Sequence, residues 1–163
     1  GFFKNNRENQ LKVATQIRLF QPRIVITNAT YDRHPDHGRG SELVEAACFI
    51  SGLKAVETTW EDEAQEAYRP EKLYFAIQSI SQEPSLLVDI TDVIEERRAA
   101  IRAFKSQFYD PESKEPETYI SSKGFMNMLE ARTIEWGQRI GVAHAEGFSV
   151  KHFLGVKNLF DLV

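Results

Sequence analysis

The sequence predicts an α/β fold with a mixed sheet at its later edge. Short β-branched or aromatic runs alternate with stretches whose apolar residues recur every three or four positions. Most of the helical stretches are bounded by a capping residue, a proline or a glycine. The most polar segment, Tyr31-Asp32-Arg33-His34-Pro35-Asp36-His37-Gly38-Arg39-Gly40, falls at a strand-to-helix junction. Open α/β sheets place their chemistry at such junctions, because strand C-termini converge there on a crevice.

The elements follow in order. Asn9 to Phe20 carries Leu11, Val13, Ala14, Ile17 and Phe20, the spacing of a helix with one buried face, and Pro22 stops it. Arg23 to Asn28 is a short β-branched run, expected as a strand covered on both faces. The polar loop comes next. Ser41 is then expected as the N-cap of a helix through Leu43, Val44, Ala47, Cys48 and Ile50, ending at Gly52. Residues 54–70 are polar and acidic with Trp60 and Tyr68 interleaved, an irregular excursion expected as a lid or an oligomer contact. Lys72 to Ile80 and Leu86 to Ile90 read as strands separated by a turn around Pro84. Thr91 or Asp92 caps a helix carrying Val93, Ile94, Ala100, Ile101 and Phe104. Gln107 to Ile120 holds two prolines and reads as a loop; Ser121 or Ser122 opens a last helix through Met126, Leu129, Ala131 and Ile134. Gly137 to Val150 is expected to cross near the sheet again, and the apolar tail to be docked.

The 163 residues, 42% hydrophobic, suffice for one domain with a real core, so 1–163 is read as a single domain. A formal charge of −4 and the absence of any basic block argue against nucleic acid as a partner. No apolar run approaches the roughly 18 residues of a membrane span, so no membrane partner is expected. Cys48 sits alone in Ala46-Ala47-Cys48-Phe49-Ile50 and reads as a small core residue in a reducing compartment, which makes the expected location cytoplasmic. Trp60 and Tyr68 are candidate interface anchors of a homo-oligomer. Gly1-Phe2-Phe3 is an odd beginning for a domain, and the chain reads as starting within a longer protein whose front supplies the first βα units of a doubly wound sheet.

His34 and His37 lie three apart with Asp36 between them. Imidazole and carboxylate are ligands of catalytic zinc, which takes three protein donors and leaves one position for water. A carboxylate that accepts the far N–H of an imidazole also fixes its tautomer. One histidine then binds metal while the other, held by Asp36, assists near the reacting group. Pro35 restricts His34 to an extended conformation and is expected to separate the two rings. The same polar residues also satisfy free N–H groups at a helix start, so spacing alone leaves both readings open. Arg33 and Arg39 suit carboxylate recognition or a solvated loop equally. His144 and Glu146 read as structural, and Asp89 as a cap.

The same ten residues, followed by Leu43-Val44-Glu45-Ala46, resemble the second motif of the zinc-dependent N-acetylglucosaminyl deacetylases of the LmbE and PIG-L type. Ser106-Gln107-Phe108, Glu130-Ala131-Arg132 and Gly141-Val142-Ala143-His144-Ala145-Glu146-Gly147-Phe148 resemble C-terminal signatures of the bacillithiol-biosynthesis branch. The resemblance implies a Rossmann-like three-layer αβα domain that binds one zinc and hydrolyses the acetamide of an N-acetylglucosamine conjugate, N-acetylglucosaminyl malate in that branch. Carried over, His37 matches the zinc-binding histidine, His34 the oxyanion-stabilising histidine and Asp36 its carboxylate partner. Arg33 and Arg39 become candidates for the malate carboxylates. The family's other two zinc ligands and its general-base aspartate lie in an N-terminal His-Pro-Asp-Asp motif that this sequence lacks. The resemblance therefore implies the C-terminal two-thirds of such an enzyme, with the remaining Zn2+ ligands expected upstream of Gly1. Some relatives place a tyrosine two positions before the first histidine, a slot that Asp32 fills here. The alternative expectation is a non-catalytic carbohydrate-binding or regulatory domain that keeps the fold.

Overall fold

A computed structural model describes residues 1–162, which form a mixed α/β fold. The chain divides into two compact units: Gly1–Ser85 with the segment from Phe148 onward, and Leu86–Gly147.

In the first unit, α1 (Arg7–Phe20) begins at the N-cap Asn6, whose side chain accepts from Asn9 N–H. It ends at Gln21, which adopts the left-handed conformation (φ 46°). β1 (Ile24–Thr27) follows, then α2 (Pro35–Ser51). β1 pairs in parallel with β4 (Lys72–Ala76), from Ile24 opposite Lys72 to Thr27 opposite Phe75. β4 in turn pairs antiparallel with the end of β6 (Ala145–Ser149), Phe75 facing Ser149 and Ala76 facing Phe148. The sheet is therefore mixed, as expected. α1 and α2 pack on each other and on one sheet face: Ile17, Ala47 and Cys48 are buried against Val13, Val25, Val44, Tyr68 and Leu73. A second cluster joins Ala14, Ile50 and Val56.

Several expectations change. α2 begins six residues before Ser41, so the polar segment is mostly helix rather than loop. Proline is tolerated at a first helical position, where its missing N–H is not needed. Ser41 is instead buried, its hydroxyl donating to Gly38 C=O within the helix. β1 is covered on one face only among the described residues: Ile24 and Ile26 are 54% and 59% exposed, while Thr27 is buried. The excursion after α2 is tied down. β2 (Thr59–Trp60) and β3 (Glu63–Ala64) form a short hairpin whose two central residues, Glu61 and Asp62, have the positive φ of a type I′ turn. The buried Arg18 of α1 donates to the carbonyls of Ser51, Leu53 and Val56 and to the Thr58 hydroxyl, fixing that segment. Tyr68 belongs to the core cluster, and Trp60 is 39% exposed. The tail is not docked among the described residues, with Phe153 and Phe160 standing in solvent.

In the second unit, β5 (Leu86–Asp89) neighbours the early part of β6. A short 3-10 turn over Thr91–Val93 leads into α3 (Ile94–Arg102). α4 (Lys123–Ile140) opens at Ser122, whose hydroxyl accepts from Phe125 N–H, and closes at Gly141 with φ 76°, a value glycine adopts without strain. No helix among the described residues is long and apolar enough to cross a membrane.

Candidate functional site

The site is built where β1 ends. Past Thr27 the chain turns through Asn28 to Arg33 and enters α2 at Pro35. His34 is the N-cap, extended at φ −86° and ψ 122° as a residue before proline must be. Its Nδ1 accepts the Asp36 N–H at 3.2 Å, satisfying one of the free donors of the first turn. Gly38 allows the turn to approach the preceding loop, since a Cβ there would lie 3.1 Å from the Thr30 carbonyl oxygen.

The segment after β4 clamps this loop. Gln78 Oε1 accepts from Ala29 N–H at 3.0 Å and from the Asn28 amide at 3.3 Å. Gln82 donates to the Tyr31 carbonyl at 2.8 Å. Ile80 N–H donates to Asp32 Oδ1 at 2.7 Å. The Asp32 side chain is wholly buried, and its Oδ2 lies 2.5 Å from His37 Nδ1. Burial pushes the Asp32 carboxyl up, but hydrogen bonds from Ile80 N–H, the His37 ring and Arg33 N–H outweigh it and hold the group below its ordinary value.

The predicted residues gather within this one turn. Pro35 does not separate the rings: His34 and His37 lie with centroids 5.3 Å apart, because both sit at the start of one helix. Asp36 stands 4.0 Å from His34 Nδ1 and accepts instead from Arg39 Nη1 at 2.8 Å. Arg39 also lies over the Phe3 ring. Arg33 is exposed on the loop. Sequence reasoning passed over Asp32, which makes the short carboxylate–imidazole contact. The available signal was an acidic residue just past a strand, five positions before His37.

The other candidates have structural partners. His144 Nδ1 is 3.0 Å from the Thr133 hydroxyl, Glu146 pairs with Arg97 at 3.6 Å, and Asp89 Oδ1 accepts from Thr91 N–H at 2.9 Å. Among the described residues, no three His, Cys, Asp or Glu side chains converge to hold a metal ion. The described residues thus fall short of the three protein donors that a catalytic zinc takes.

No known family profile matches the chain. Among solved structures, it is similar to the conserved protein TT1542 from Thermus thermophilus, with 31% identity and a TM-score of 0.80 over 96% of this chain. It also shares its fold with the N,N'-diacetylchitobiose deacetylase from Pyrococcus horikoshii (24% identity, TM-score 0.68, 99% of this chain). A third similar structure is the 4-carboxy-2-hydroxymuconate hydratase GalB from Pseudomonas putida (17% identity, TM-score 0.69, 94% of this chain). The chain spans 64%, 58% and 62% of those three chains, respectively.

Proposed function

We propose that this chain is the His37-bearing part of a zinc-dependent N-deacetylase acting on an N-acetylglucosamine conjugate. The observation that carries the reading is the first turn of α2: His37 braced by a buried carboxylate, with His34 at 5.3 Å and two arginines alongside. A fold shared with a diacetylchitobiose deacetylase supports it. The bacillithiol-branch signatures add N-acetylglucosaminyl malate as the substrate of choice. In this reading His37 would be one protein ligand of the zinc, and the described residues would not supply the other two. Held there, a zinc ion would supply Lewis-acid chemistry for amide hydrolysis.

The remaining roles assigned to this chain's own residues are binding and orientation. His34 Nδ1 accepts the Asp36 N–H, which leaves Nε2 as the ring nitrogen that donates its N–H to the developing oxyanion. Asp36 stabilises the first turn of α2 and orients Arg39. Arg33 and Arg39 bind the malate carboxylates, for which a guanidinium fork is suited.

Zinc content and acetate release from N-acetylglucosaminyl malate, measured on the full-length protein, test the reading. His37→Ala loses the metal. His34→Ala keeps it and loses about 10²–10³ in rate, the usual cost of removing one oxyanion donor. Equal zinc content in the two variants, or no acetate from any N-acetylglucosamine conjugate, overturns the proposal. The hydratase with the same fold shows why the substrate assay is needed.

A further inference from the structure

We infer that Asp32 is a positioning residue: locked by the backbone of the segment after β4, it dictates which nitrogen of His37 carries the proton and which is open to a ligand. A carboxylate only accepts hydrogen bonds. With Asp32 Oδ2 at 2.5 Å from His37 Nδ1, the ring proton lies on Nδ1 and the lone pair on Nε2. The other oxygen cannot exchange roles, because Ile80 N–H, a donor only, holds Oδ1 at 2.7 Å. The carboxylate is thus fixed from both sides inside the protein, with no side-chain exposure. His37, 28% exposed, is the member of the pair that faces outward. The preference therefore comes from residue 80, distant in sequence, through residue 32 to residue 37. Only the metal arm of the test rests on the deacetylase reading.

Asp32→Asn separates the two. The amide has nearly the same shape, but its oxygen must face Ile80 N–H, which turns its NH2 towards His37 Nδ1. Nδ1 then has to accept, and the proton moves to Nε2. Long-range 1H–15N correlation spectra of histidine-labelled full-length protein read the tautomer directly. The expected result is Nδ1–H in the wild type and Nε2–H in D32N. With the tautomer reversed, zinc affinity, read by competition with a chromophoric chelator, falls about 10–100-fold, the usual cost of losing an outer-shell partner. An Nε2–H tautomer in the wild type overturns the inference even where D32N does not fold. An Nδ1–H tautomer retained in a folded D32N also overturns it. A reversed tautomer with unchanged zinc affinity upholds the Asp32 assignment and overturns His37 as a zinc ligand.

Discussion

Replacing Arg18 with methionine tests how the excursion between α2 and β4 is held. The Arg18 guanidinium lies in the interior, where it meets four neutral oxygens. Two of these keep another donor when it is removed: Ser51 C=O also accepts from Tyr68 N–H, and Leu53 C=O from Val56 N–H. Val56 C=O, at 2.7 Å, and the Thr58 hydroxyl, at 2.8 Å, lose the charged donor. Leaving a buried acceptor unsatisfied costs about 1–3 kcal/mol, so the two together imply a loss of about 2–4 kcal/mol, the upper part of the range offset by no longer burying a charge. Methionine retains the length of the stem and limits any cavity contribution. Urea unfolding of wild type and R18M measures the difference, and a shifted midpoint at constant slope attributes it to stability. Amide exchange at Tyr68 and Gln65, whose N–H groups bond to Ser51 and Thr58 carbonyls, is expected to accelerate first. If R18M unfolds within about 0.5 kcal/mol of wild type, the range of an ordinary surface substitution, the argument fails.

Two further outcomes follow from ionisable groups. The Arg98 guanidinium, bound to Glu130 between α3 and α4, holds the Glu130 carboxyl below its ordinary value. A depressed carboxyl stabilises above its unfolded pKa of about 4.3 and loses that contribution as pH falls through the folded value. Glu130→Gln is therefore expected to destabilise at pH 7 by about 1 kcal/mol or less and to match wild type more closely near pH 3; a gap that widens in acid refutes the pairing. Burial, reinforced by the Glu45 charge, pushes the Cys48 thiol up to about 11. At pH 8 the thiol is expected to react with a disulfide reagent far more slowly in the native protein than in urea, and equal rates in both would refute its burial.

Residues near one another in sequence were legible from it. A helix start at Ser121 or Ser122 (the structure selects Ser122), the stop of α1 before Pro22 and the placing of His34 and His37 at a strand-to-helix junction depend on side-chain spacing and on backbone groups within a few positions. The start of α2 was not legible, because Gly38 and Gly40 lower helix propensity just where tertiary contact with the Thr30 loop rewards a residue without a Cβ. The exposure of Ile24 and Ile26 was likewise hidden: a β-branched run shows that a strand forms, not how many of its faces are covered.

By itself, then, the sequence determined an α/β order of elements, a core cysteine and the turn bearing the two histidines. Tertiary structure alone decided which carboxylate serves which partner. Asp36, one residue from His37, bonds to Arg39, while Asp32 reaches His37 because Ile80, 48 residues away, anchors its other oxygen. Arg18 shows the same logic, with acceptors 33 to 40 residues distant. The physical reason is that local rules act through the period of a helix or strand, whereas a buried polar group takes whatever donor or acceptor the fold brings to it.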